Sequence, residues 1–373
     1  CVAETVKDAG HEVAFLDLMF EADVNSILNE TIATVKPDCI GISVRNIDNQ
    51  SLEETAFLLE TVKEVVAYCR SISDAPLVLG GAGYTIFSEE ALAYMNADIG
   101  IEGKGEVAFP ALLAALEKAE DITVIPGIHI AGKEPVLPKV FSDTLDMLPL
   151  PEPEVLLSSV LKNGDPWIPV QTRRGCPFKC SYCSTANIEG TAIRRRSPAT
   201  IVAWLQKWVQ SGYRNFYFVD NTFNLPVAYA KALCRLILES ALAIHWCAII
   251  YPGHVDAELV KLMAASGCGQ VSLGFESGSR EILKQLNKRF SLEDIREASD
   301  LFAEQKIARM GFLLLGGPGE TRMTVEESLA FAESLELDAL RLTAGIRVYP
   351  DTRLAEIAEE RGMITSQQEL LSP

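Results

Sequence analysis

The chain has 373 residues, 33 basic and 51 acidic side chains, a formal net charge of −18 and 48% hydrophobic residues. That length allows two domains, each with its own core. The acidic balance argues against a nucleic-acid partner, whose phosphates call for a basic face. No apolar run reaches membrane-spanning length and no signal peptide opens the chain, so a cytoplasmic protein is expected. Neither Cys1 nor the Leu370–Pro373 end reads as a natural terminus, so missing segments are expected at both ends.

Residues 1–120 alternate strand and helix. His11–Leu18 is a strand candidate, Val24–Val35 a helix and Cys39–Val44 a short apolar strand. A long helix follows, in which Leu58, Val62, Val65, Val66 and Cys69 recur at the three-and-four spacing of one buried face. Pro76–Gly80 and Ala97–Ile101 are further strands, and Val107–Ala119 is a helix. Short apolar strands separated by amphipathic helices predict a parallel sheet covered on both faces, with ligands beyond the carboxyl ends of the strands. Those ends carry Ser43 and Arg45, the Gly80–Gly83 turn and the Glu102–Gly105 turn. Glycine there either admits a bulky ligand close to the backbone or merely makes a βα turn.

Prolines recur over 121–166, which reads as a linker with one hairpin at most. The second half, 167–373, repeats the β/α pattern. Its strand candidates are Trp167–Thr172, Asn215–Val219, Ile244–Ile250, Gln270–Phe275, Met310–Leu315 and Leu340–Val348. Helices fall at Ala199–Gln210, Pro226–Glu239, Asp256–Ser266, Leu292–Glu304 and Val325–Leu335. Six such units make a partial barrel, whose chemistry belongs at the C-terminal ends of its strands. The run Arg194-Arg195-Arg196 is either a solvated loop or part of a site.

Of nine cysteines, Cys1, Cys39, Cys69, Cys234, Cys247 and Cys268 are scattered and read as small hydrophobes. Cys176, Cys180 and Cys183 form a C-x3-C-x2-C loop directly after the first barrel strand. Structural zinc wants a fourth ligand, and none lies nearby. A thioredoxin-like pair leaves Cys176 unexplained. Three thiolates suit a cubane cluster with one iron left open to chelate a substrate.

This loop, with Tyr182 before its last cysteine, resembles the signature of the radical S-adenosylmethionine superfamily. The resemblance implies a [4Fe–4S] cluster on the three cysteines and a S-adenosylmethionine site around them. It points to Tyr182, to Asp220 and Asn221 after the second strand, to Glu276 and Ser277 after the fourth, to Gly311 and Leu313 in the fifth and to Arg347 in the sixth.

The whole arrangement is similar to the cobalamin-binding branch of that superfamily, in which a Rossmann-like domain precedes the barrel. That likeness places cobalamin against Ser43, Arg45, Gly80, Gly81, Gly83, Tyr84, Glu102, Gly103 and Gly105, with Lys104 departing from the family's usual Gly-Glu-Gly-Glu. No Asp-x-His-x-x-Gly motif is present, so no histidine from the protein is expected on cobalt. The fold expected is thus α/β, a Rossmann-like domain followed by a partial (β/α)6 barrel. The function implied is cobalamin-dependent methyl transfer to an unactivated carbon or phosphorus of a small molecule or lipid, with a flavodoxin or ferredoxin as electron donor. Cyclisation or rearrangement with the same cofactors, transfer-RNA methylthiolation and a non-enzymatic cofactor carrier are the alternatives.

Overall fold

A computed structural model describes residues 1–50, 54–135, 137–141, 144–153 and 166–372. The first unit is a four-stranded sheet ordered β1-β2-β3-β4, with β1 at Ile40–Ser43, β2 at Leu77–Gly80, β3 at Ile99–Ile101 and β4 at Ile128–Ile130. The first three strands run parallel, because helices Leu59–Ile72 and Ser88–Met95 carry the chain back between them. β4 runs antiparallel along β3, so the segment expected as a linker supplies an edge strand.

The strand expected at His11–Leu18 does not form. Among the described residues, 11–17 have no ladder partner, and β1 is the edge of the sheet. The helix Val24–Val35 starts and stops where the sequence places it, capped by the Asp23 side chain on Ser26 N at 3.0 Å.

The second unit is a six-stranded sheet ordered β12-β11-β10-β9-β8-β5. Its strands are β5 Ile168–Val170, β8 Asn215–Phe218, β9 His245–Ile250, β10 Cys268–Glu276, β11 Ala308–Leu315 and β12 Ala339–Ala344, all parallel. The two edge strands, β5 and β12, do not pair with each other, so the barrel is partial. Phe216, Phe218, Trp246, Ala248, Ile250, Val271, Leu273 and Phe275 alternate onto one face and are buried against the helices. Between β5 and β8, a two-stranded ribbon pairs β6, Arg173–Arg174, with β7, Arg194–Arg195. The arginine run is not a solvated loop. Arg194 and Arg196 are buried, and Arg196 Nη1 donates to the carbonyls of Leu145 and Leu148 at 2.7 and 2.5 Å.

The units meet along a polar seam. Arg174 Nη2 lies 2.5 Å from Glu106 Oε1, and Arg347 Nε lies 2.7 Å from Asp48 Oδ2. The end of the chain also returns to the first unit, with Ala355 and Leu370 packed among Val44, Leu59, Phe87 and Leu92. Among the described residues no helix is long and apolar enough to cross a membrane.

Burial works against the Glu106 carboxyl, but the hydrogen bond and charge of Arg174 outweigh it and hold its pKa below the ordinary glutamate value. A depressed carboxylate stabilises above its unfolded pKa, and that stability is lost as pH falls through the folded one. Glu106→Ala would leave a mostly buried guanidinium without its carboxylate, at a cost of about 3 kcal/mol. Denaturant titrations near neutral pH should show that loss. The gap between wild type and variant should narrow on acidification below the glutamate range. A gap that persists there would mean the pair does not hold the seam.

Candidate functional site

The cysteine loop is fixed by its backbone before its side chains act. Gly175 takes φ +93°, and a Cβ on it would run into the carbonyl of Ala192, so no side chain fits there. Cys176 N donates to Gly190 O at 3.0 Å, and Gly175 N donates to Glu189 Oε2 at 3.0 Å. The far side of the loop is tied by Ser181 N to Leu286 O at 3.1 Å and by Leu354 N to Ser181 O at 2.8 Å. Three distant segments thus clamp one turn.

The clamped turn directs Cys176, Cys180 and Cys183 into mutual electrostatic contact. Burial pushes the Cys176 thiol up to about 11 and raises Cys180 as well, so iron must displace protons from both. Among the described residues no group of three His, Cys, Asp or Glu side chains is gathered closely enough for a single metal ion. A cubane fits this donor set better, because each thiolate binds a separate iron and the three can stand apart. The remaining cysteines are free thiols, with Cys69, Cys234 and Cys268 buried.

Beside Cys180 lies a cluster that the sequence reading only half found. Tyr182 Oη donates to Glu276 Oε1 at 3.1 Å, and Lys288 Nζ reaches both, at 3.1 Å to Tyr182 and 3.3 Å to Glu276. Burial opposes the Lys288 charge, but Glu276 and Tyr182 outweigh it and hold the ammonium well above the ordinary lysine range. Burial raises the Tyr182 phenol, keeping it a proton donor. Glu276 sits at φ +66° just past an irregularity in the β10–β11 ladder, a strained conformation of the kind that collects at functional sites. Lys288 was missed because Leu286-Asn287-Lys288-Arg289 reads as an ordinary polar turn.

Asn221 is exposed, and its amide donates to Glu189 Oε2 at 3.1 Å. Burial raises the Glu189 carboxyl. Other expected residues are committed elsewhere. Asp220 is 0% exposed, and its carboxylate accepts from Thr172 N, Thr172 Oγ1 and Arg173 N at 2.8, 2.6 and 3.1 Å. Ser277 is buried against Ser328, 2.8 Å between hydroxyls. Gly311 faces Leu337 and Phe275, and Leu313 is buried in the core. Arg347 is spent on Asp48 and on the carbonyls of Leu370 and Leu371.

In the first unit, Ser43 and Arg45 are exposed at the carboxyl end of β1, and the charge of Arg45 reaches Tyr217 in β8 of the barrel. The glycines after β2 serve the fold. A Cβ on Gly81 would lie 2.5 Å from Val44 O, and one on Gly83 would lie 3.0 Å from the Arg45 carbonyl. Gly80 accepts from Val44 N at 2.7 Å. Tyr84 is buried over Gly100, not turned to the strand ends. Glu102 is tied to His129 Nε2 at 3.1 Å and Lys139 Nζ at 2.6 Å. Gly103 packs beside Lys139, and Gly105 lets Val2 approach the next helix. Ser43, Arg45 and Asn46 are exposed at the end of β1, while Gly80, Gly81, Gly103 and Gly105 keep partly exposed backbone beside them.

Gly175→Ala should displace the cysteine loop. Iron bound after anaerobic reconstitution should fall severalfold while the far-ultraviolet spectrum stays unchanged. Full iron content in this variant would show that the Ala192 contact does not position the thiols.

A profile of the Radical SAM superfamily matches residues 170–332, and one of the B12 binding domain matches residues 1–113. An uncharacterized methyltransferase of Pyrococcus horikoshii is 28% identical over 93% of this chain and 75% of its own length. The tryptophan 2-C-methyltransferase of Streptomyces laurentii is 24% identical over 95% of this chain and 70% of its own. The solved radical S-adenosylmethionine methyltransferase TsrM of Kitasatospora setae, with tryptophan and a S-adenosylmethionine analogue bound, superposes with a TM-score of 0.88 at 26% identity, covering 96% of this chain and 72% of that enzyme. The same enzyme with cobalamin and a [4Fe–4S] cluster gives 0.86. With a B12-binding sheet ahead of a partial barrel that opens on a three-thiol loop, the chain belongs to the cobalamin-binding radical S-adenosylmethionine family, whose cofactors are a [4Fe–4S] cluster, S-adenosylmethionine and cobalamin.

Proposed function

We propose that this enzyme transfers a methyl group to an unactivated carbon, or a phosphorus, of a small molecule or lipid precursor. The observation that carries the reading is the superposition of both units together, over 96% of the chain, on a methyltransferase of this family. When bound, the cluster and S-adenosylmethionine supply a one-electron radical source, and cobalamin supplies a transferable methyl group.

The chain's own residues divide the work of holding these groups. Cys176, Cys180 and Cys183 would hold iron, and their clamped turn fixes the thiols that bind it. S-adenosylmethionine ends in a zwitterion, which needs both signs of charge in a confined space. Glu276 and Lys288 offer that pair beside Cys180, with the Tyr182 hydroxyl between them. Asn221 adds an exposed amide at the second strand end. Ser43 and Arg45 present the first unit's polar strand end toward the barrel, where the corrin and the substrate must share one space. The electron comes from a carrier of the flavodoxin or ferredoxin kind.

Replacing Cys176, Cys180 or Cys183 with alanine should abolish iron binding and reductive cleavage of S-adenosylmethionine, while Cys234→Ala or Cys268→Ala should not. Wild-type iron content in all three loop variants would sink the cluster assignment. Methyl transfer itself is tested with methyl-labelled S-adenosylmethionine and reduced, cobalamin-loaded protein. Label should appear on cobalt with stoichiometric S-adenosylhomocysteine, and then in product when substrate is present. Product free of label, formed at full 5′-deoxyadenosine yield, would point instead to cyclisation or rearrangement.

A further inference from the structure

The cysteine loop has one side that meets solvent. Cys176 is buried, but Pro177 and Lys179 beside it are exposed, so this side is a near surface of the three thiols. Lys179, Lys284 and Arg289 stand around it, all exposed and none in an ion pair among the described residues.

Hydrogen bonds gather the cations here. The Asn287 side chain donates to the Lys179 carbonyl, Ser181 N donates to Leu286 O at 3.1 Å, and Arg289 N donates to Tyr251 Oη at 3.0 Å. Beneath them Phe178 stacks on Tyr251, with centroids 4.0 Å apart and rings 14° from parallel, and Tyr251 stacks in turn on the exposed His254 at 5.9 Å. Phe178 also lies 6.4 Å from His254, so the three rings form one compact cluster between the loop and the surface. Two acids near these cations are already engaged, Glu281 with Gln285 and Glu293 with Arg280. His254 itself lines a small cleft with Asp256, Asp294 and Glu297, which marks the limit of the patch.

We propose that this face docks the electron donor, and that the donor presents an acidic surface around its redox centre. The inference rests on the cluster reading above. In a protein of net charge −18, an acidic carrier is repelled on average. A local patch of unpaired cations is what would select one productive orientation among many unproductive ones. The step moves one electron: the carrier is oxidised by one, the cluster is reduced by one, and no bond forms or breaks.

The test uses the full chain with its cluster reconstituted and follows cluster reduction optically under anaerobic conditions. Reduced flavodoxin, an acidic flavoprotein, is one reductant, and photoexcited deazaflavin, a small neutral one, is the control. In the variant Lys179→Glu/Lys284→Glu/Arg289→Glu the flavodoxin-driven rate should fall about tenfold or more, and the wild-type rate should fall as ionic strength rises. The deazaflavin-driven rate should stay the same. Should the triple variant lose its cluster, Lys284→Ala/Arg289→Ala keeps the loop intact and should show a smaller loss of the same kind. An unchanged flavodoxin rate in the variant that retains its cluster, or a salt-independent wild-type rate, overturns the docking surface. A wild-type chain that binds no iron, or whose cluster deazaflavin cannot reduce, overturns the cluster reading instead.

Discussion

The rest of the site depends on a steric constraint at Gly175. Its backbone lies so close to the Ala192 carbonyl that only glycine, at φ +93°, can occupy the position. That contact brings Cys176 N onto Gly190 O and starts the thiol turn in one orientation. The other end of the turn is then settled by Leu286 and Leu354, which arrive from remote parts of the chain. A turn held only by its own residues would carry its thiols on a mobile arm. Held by three segments, it offers a fixed triangle of donors, which a catalytic cluster needs more than affinity.

The same economy of placement explains the buried charges. Lys288 would be costly alone in its position, since burial opposes an ammonium. Glu276 and Tyr182 offset that cost, and their shared hydrogen bonds keep both carboxylate and ammonium beside Cys180. The strain at Glu276 belongs to this arrangement. A non-glycine residue at φ +66° persists only where its surroundings over-determine it, and here the Lys288 and Tyr182 contacts do so.

Much of the architecture was legible because burial imprints a period on the sequence. Helices Val24–Val35 and Leu292–Glu304 and the parallel barrel strands follow directly from the spacing of their apolar residues. The His11–Leu18 segment shows what periodicity cannot supply, since a pattern compatible with a strand still needs a partner edge. At the strand ends a motif is continuous in sequence, whereas its side chains alternate between faces. Phe216 and Phe218 are buried against the helices, and counting by two puts Asp220 on their side and Asn221 on the other. After β10 alternation stops at the irregular ladder, where Glu276 turns to φ +66° and Ser277 packs on Ser328. Alternation, already present in the sequence, thus separates Asn221 from the buried Asp220. Lys288 and the glycines that pack against Val44 and Arg45 need the tertiary structure, because their partners come from other segments.

The seam between the units bears on catalysis more than on stability. Buried ion pairs are poor stabilisers compared with apolar packing, because desolvation cancels much of their attraction. Their strength is directional, since Arg174 must meet Glu106 and Arg347 must meet Asp48, and a slipped interface would leave charges buried without partners. Arg174 directly precedes Gly175, so the pair that registers the first unit also registers the start of the thiol turn. Asp48 lies in the loop after β1, close in sequence to Ser43 and Arg45, and Arg347 lies just beyond β12. Each pair therefore joins a segment next to one unit's candidate site residues to the other unit. Two cofactors acting on one substrate atom need their relative positions held to a fraction of an ångström, and these two contacts are placed to transmit that constraint.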